Sequence, residues 1–152
     1  MSYRLRLIIT ISLLIALSFS IGGTILLTSS VQSSLDSEVD MALGSFEMVL
    51  STLHLLNSMG AKADYASLGA ALSQMDAQNE VRWQAISLSC GSQTIYQNRS
   101  ELMKNHSLPT PLTGQCCYIQ VRDEYGHGLI IRSSLSAGTE NLVLQARFDL
   151  SW

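Results

Sequence analysis

Leu7 to Thr28 reads LIITISLLIALSFSIGGTILLT, an apolar run without proline or an ionisable side chain. At about 1.5 Å per helical residue it reaches about 33 Å, the thickness of a bilayer's hydrocarbon core. In lipid each backbone N–H and C=O must be satisfied within the segment, so a run of this length has one stable form, a membrane-spanning helix. Arg4 and Arg6 precede it and the first charge after it is Asp36. Basic residues favour the cytoplasmic side, which predicts an N-terminus inside and an exported domain. A cleaved signal peptide would need its small-residue site after the apolar core, whereas Ser18 to Gly23 lies within the run. The expected organisation is a cytoplasmic tail at 1–6, a transmembrane helix at 7–28 and an extracytoplasmic domain at 29–152. The chain would be single-pass in a cell membrane, with the lipid bilayer as its first partner.

The exported part holds one small domain with a real core. Leaving out Arg4 and Arg6, the remaining basic residues of the chain's 9 face 12 acidic ones, a net charge of about −5. This excludes nucleic acid as a partner, since binding it demands clustered Lys and Arg. Three cysteines are too few for a disulfide scaffold. Cys116 and Cys117 are strand neighbours facing opposite ways, so at most one can meet Cys90. Without a CxxC spacing, and with His54, His106 and His127 on separate elements, no metal site or cofactor is expected. No G-x-S-x-G, H-E-x-x-H or phosphate-binding glycine loop occurs, and Asp36 with Asp40, or Asp123 with Glu124, reads as a solvated face and a turn. No catalytic residue is assigned.

The first helix is expected to continue over 29–60. Val39, Ala42, Phe46, Val49, Leu53 and Leu56 recur at heptad spacing, while Met41, Met48 and Leu55 form a second apolar row. So much apolar surface must bury two sides, one on its own sheet and one against a partner helix, and the heptad row is assigned as a parallel homodimer seam, with core packing alone as the alternative. Gly60 supplies a helix stop, and Asp64 or Ser67 an N-cap for a short helix over 64–76. From Val81 the period becomes two, predicting an antiparallel sheet over 81–151. Its strands are 81–88, 94–96, 115–123, 128–135 and 141–150, with both prolines, Pro109 and Pro111, in the irregular stretch 98–112.

Apolar parity sets an expected register. Ile119 and Val121, then Leu129, Ile131 and Leu135, then Leu142, Leu144, Ala146, Phe148 and Leu150 are assigned to one core face. A three-residue loop at Tyr125–His127 would place Val121 opposite Ile131, and a six-residue loop would pair Leu135 with Leu142. The opposite face then carries Tyr118, Gln120, Arg132, Gln145 and Arg147. These cations and amides form the candidate binding site for a small molecule or peptide, with 98–112 as its lid.

A membrane helix entering a long exported helix, a second helix and a five-stranded antiparallel sheet resembles the extracytoplasmic PAS-like or Cache-type sensor region of a bacterial membrane sensor histidine kinase. The closing residues Leu144 to Trp152 look like the last sensor strand of such a receptor. The resemblance implies an α+β fold, a homodimer, and an input module that passes ligand or envelope signals to a C-terminal kinase outside this sequence. Chemoreceptors and diguanylate cyclases use similar sensors. Pilin-like structural subunits share the layout, but that family carries a glutamate within its apolar helix, and Leu7 to Thr28 has none.

Overall fold

The computed structural model describes residues 3–59, 65–78, 82–104, 106, 108–137 and 140–150. The chain is α+β, with two helices followed by a five-stranded antiparallel sheet. It divides into two compact units, residues 1–37 and 38–152. The first helix, α1 (Tyr3–Met59), is continuous over 57 residues.

In the first unit α1 is long and apolar enough to cross a membrane, with a best 18-residue mean hydropathy of 2.1. Its large side chains, Leu7 through Leu27, are exposed. The hydroxyls interspersed among them turn back onto the helix. Thr10, Ser18 and Thr28 donate to the carbonyls four residues earlier at 2.8, 2.9 and 2.8 Å, and Thr24 does the same to Ser20. Hydroxyls satisfied this way lower the cost of an apolar environment around the helix.

In the second unit the remainder of α1 packs with α2 (Tyr65–Gln78) on the sheet. The strands are β1 (Trp83–Cys90), β2 (Gln93–Asn98), β3 (Cys116–Asp123), β4 (Gly126–Ala137) and β5 (Glu140–Asp149), in the order β2-β1-β5-β4-β3. A 3-10 turn, Ser100–Met103, opens the connection from β2 to β3. The Gly60 helix stop and the Asp64 cap lie outside the described residues, and Ser67 sits inside α2.

The main core lies between α1, α2 and one sheet face. Phe46, Val49 and Leu53 meet Ile86, Leu88, Leu129, Ile131, Leu142, Leu144, Ala146 and Phe148, with Leu68 and Leu72 from α2. The heptad row assigned to a dimer seam, Leu56 excepted, supplies this core. Val39, Ala42, Phe46, Val49 and Leu53 are all buried within their own chain, so they are not available to a second copy. Heptad spacing marks any continuous apolar face, and here the sheet takes it. Leu56 stays outside this core, and Met41, Met48 and Leu55 remain exposed on α1.

The β4–β5 hairpin has the expected register, Leu135 opposite Leu142 and Arg132 opposite Gln145. The β3–β4 hairpin does not. Asp123 pairs with Gly126, leaving a two-residue turn at Glu124 and Tyr125, so Val121 faces Gly128 and Ile131 faces Tyr118. A shift of one residue exchanges every side chain between faces. Tyr118 and Gln120 therefore lie on the helix side of the sheet, opposite to Arg132, Gln145 and Arg147. Asp123 fixes the shorter turn, its Oδ1 accepting the Tyr125 N–H at 2.9 Å. Gly126, at φ +102°, supplies the positive-φ position that completes it.

Ile119 and Val121 are not stranded by this exchange. With Cys117 they join Ile130 and Leu108 in a second small core on the far face. The sheet is thus covered on both sides, by helices on one and by the β2–β3 connection on the other. No disulfide joins the cysteines. Cys90 on β1 and Cys116 or Cys117 on β3 are separated by β5 and β4. At about 4.8 Å per strand spacing that exceeds the reach of an S–S bond.

Candidate functional site

The polar residues of the far face are organised by Arg147. An arginine in the central strand, facing away from the helices, is covered on three sides. The β1–β5 ladder shifts register between Trp83 and Ala85, and the extra residue, Gln84, directs its amide oxygen to Arg147 Nε at 2.9 Å. From the turn of the β3–β4 hairpin, Asp123 takes both terminal nitrogens, Nη1 at 2.6 Å and Nη2 at 2.8 Å. From the 3-10 turn the Leu102 carbonyl accepts from Nη1 at 3.0 Å. The Tyr125 ring centroid lies 5.8 Å from the guanidinium carbon, within cation–π range. Arg147 is completely buried, and its room is made by Gly128. A Cβ there would stand 3.0 Å from Nε.

Asp123 is the electrostatic complement. Its hydrogen bonds from Arg147 hold the carboxyl well below the ordinary aspartate range; partial burial opposes this, while the Tyr125 N–H and His106 reinforce it. His106 Nε2 lies 3.2 Å from Asp123 Oδ2, which fastens the middle of the β2–β3 connection to the same group. A bidentate pair built on a buried guanidinium acts as a fixed strut.

Arg132, one strand over, is bound differently. Its Nε and Nη2 both donate to Gln145 Oε1, at 3.1 and 2.8 Å, and its Nη1 donates to the Leu108 carbonyl. Further along, Gly114 N–H donates to the Ser134 carbonyl at 2.9 Å and Ser133 Oγ to the Gln115 carbonyl at 2.9 Å. The segment expected to serve as a lid is thus seated on the face and tied at Leu102, His106, Leu108, Gly114 and Gln115.

The structure brings Arg132, Gln145 and Arg147 together, as the sequence predicts, and separates Tyr118 and Gln120 from them. Sequence reasoning missed Asp123, Gln84 and Ser134. Asp123 reads as an ordinary turn residue, and Gln84 depends on a bulge that no side-chain pattern announces. A second polar cluster joins α2 to the first hairpin. Asp76 accepts from Trp83 Nε1 at 2.6 Å, Tyr96 OH at 2.9 Å and Asn98 Nδ2 at 2.5 Å. Burial raises the Asp76 pKa, but these three donors and the charge of Arg99 outweigh it, leaving a net lowering. Neutral donors around one carboxylate describe a joint between elements. Among the described residues no group of three or more His, Cys, Asp or Glu side chains could hold a metal ion. Comparisons with protein-family models, with curated proteins and with solved structures give no match to this chain.

Proposed function

We propose that this chain is the membrane-anchored signal-input domain of a bacterial receptor, a PAS-like or Cache-type sensor serving a histidine kinase, with its N-terminus in the cytoplasm and its sheet domain outside. The observation that carries the reading is the double attachment of β5. On one face Arg147 and Gln145 hold the β2–β3 connection through Asp123, Leu102 and Arg132. On the other face Ala146 and Phe148 pack in the core shared with Phe46, Val49 and Leu53 of α1. A signal that displaces the connection therefore acts on a strand that is also seated against α1, and on its neighbour β4, whose Arg132 holds Leu108 while Leu129 and Ile131 pack in the same core. It biases that arrangement by binding one form more tightly than the other. The strand order β2-β1-β5-β4-β3, which sets β5 between β1 and β4, and the apolar stretch of α1 support the same reading. Pairing of two copies along α1 would use Met41, Met48 and Leu55, which are exposed and spaced by sevens.

The test joins the chain to the membrane-spanning and kinase portions of a receptor kinase of known output. Arg147→Met and Asp123→Asn are expected to change autophosphorylation several-fold at equal protein level and equal protease resistance. Unchanged output in both refutes the reading. Ser136→Cys, with the native cysteines replaced, is expected to react with a membrane-impermeant thiol reagent in whole cells, and Tyr3→Cys is not. The unbroken 57-residue α1 also fits a pilin-like filament subunit, a reading that filaments released by shear would favour.

A further inference from the structure

We propose that the covered face of the sheet binds a small monocarboxylate between Arg132 and Ser134. This rests on the signal-input reading and names the ligand class. Two arginines share the face, and only one is neutralised. Arg147 has Asp123; Arg132 has no carboxylate partner among the described residues, only the amide oxygen of Gln145 and the carbonyl of Leu108. A guanidinium carries five N–H groups. Three of those on Arg132 are used, so Nη1 and Nη2 each keep one, and a carboxylate that takes the place of the Leu108 carbonyl can fork across both nitrogens.

A second observation points to the same place. Ser134 lies two residues along β4 on the same face and is 1% exposed. Its Oγ is the one buried side-chain oxygen or nitrogen among the described residues with no hydrogen-bond partner. An unpaired buried hydroxyl lowers stability, and a ligand oxygen that accepts from it recovers the loss. At about 3.4 Å per residue the two positions are about 7 Å apart along the strand, close enough for one carboxylate to reach both side chains.

Charge selects the ligand class. The site offers one positive charge, one hydroxyl and the amide of Gln145. A monoanion balances it, a dianion would leave charge uncompensated in a part-buried place, and a neutral ligand would leave Arg132 unpaired. Entry replaces the Leu108 carbonyl on Nη1. That frees the Leu108 end of the cover while its Gly114 and Gln115 end stays tied to Ser134 and Ser133.

The experiment follows thermal unfolding of the full chain in lipid nanodiscs, by tryptophan fluorescence, against sodium acetate and sodium propionate. Sodium sulfate, phosphate and chloride at matched ionic strength are the comparison. A saturable rise in Tm with a carboxylate is expected. It should be absent in Arg132→Gln, about tenfold weaker in apparent affinity in Ser134→Ala, and unchanged in Arg122→Gln, whose position lies on the other sheet face. No shift with either carboxylate, an equal shift with sulfate or phosphate, or an undiminished shift in Ser134→Ala overturns the proposal. Ser134→Ala removes only a hydroxyl, so this outcome is read even where Arg132→Gln fails to fold. A negative result leaves the kinase-fusion response to Arg147→Met as the separate test of the signal-input reading.

Discussion

Two glycine-to-alanine substitutions should move stability in opposite directions, and the difference measures how firmly Arg147 is held. At Gly128 an added Cβ would lie 3.0 Å from Arg147 Nε and 3.2 Å from both Cζ and Nη2. A free arginine would swing aside. This one is tied through Nε, Nη1 and Nη2 to Gln84, Leu102 and Asp123, so making room breaks hydrogen bonds or moves β4 from β5. Overpacking of this kind costs about 1–3 kcal/mol. Loss of glycine's freedom in the unfolded chain returns about 0.4–1 kcal/mol. The net expectation is a destabilisation of about 0.5–2 kcal/mol. At Gly44, inside α1, nothing lies within 4 Å of the added Cβ. There alanine should stabilise by about 1 kcal/mol through helix propensity alone. Urea unfolding of the full chain in micelles would read both. Trp83 fluorescence is the signal, with Trp152 replaced by Phe. In an Arg147→Met background the cost of Gly128→Ala should largely vanish, because the two positions are in contact. A Gly128→Ala protein as stable as the parent, or one whose cost persists beside Arg147→Met, would refute the claim that Arg147 cannot yield.

Phe46→Ala and Leu53→Ala should destabilise by about 3–5 and 2–5 kcal/mol, whereas Met48→Ala on the exposed row should stay within about 0.5 kcal/mol in the same urea assay. Consistent with that burial, cysteines at 46 or 53 should cross-link between copies no better than at 47; efficient cross-linking at 46 would return the heptad row to a dimer seam. The β3–β4 register is checked by Arg122→Cys with His127→Cys in a chain lacking native cysteines. These positions are opposite each other in the two-residue turn and should oxidise readily; with a three-residue loop they would not face one another. Asp123 has a folded-state pKa below its unfolded value, so its contribution is full above the unfolded value near 4 and is lost as pH falls below it. Acid unfolding followed by circular dichroism should therefore steepen below about pH 4. Asp123→Asn should flatten that slope in part, leaving the share of Asp76, whose pKa is lowered in the same sense.

The layer order was legible because periodicity is a local property. The change from heptad to alternating spacing near Val81 separates helix from sheet, and the parity of Leu142, Leu144, Ala146 and Phe148 assigns one face of β5 to the core without reference to any partner. Register between β3 and β4 was not local in that sense. Loops of two or three residues both fit Asp123 to His127, and the decision falls to the Asp123 side chain closing the shorter turn. One signal was in the sequence all the same. Leu129, Ile130 and Ile131 are consecutive and all fully buried, the mark of a strand covered on both faces.

Alternation says which residues share the candidate site's face but not what covers it. Apolar and polar residues alternating along a strand state the chemistry of two faces, and solvent is only the commonest answer to the polar one. On β5 the polar side chains Gln145 and Arg147 are buried. What covers them is the chain between Asn98 and Gln115, whose prolines and irregular pattern mark it as a loop and say nothing of where it lies. Its hold on the sheet passes largely through backbone groups, the carbonyls of Leu102, Leu108 and Gln115 and the N–H of Gly114. Every residue type supplies those groups, so no choice of side chain at these positions could have announced the contacts. The arginines could. A cation placed on a covered sheet face must find acceptors or remain unpaired at a high cost, and Arg132, given only neutral acceptors among the described residues, is the one on this face that still has that demand to meet.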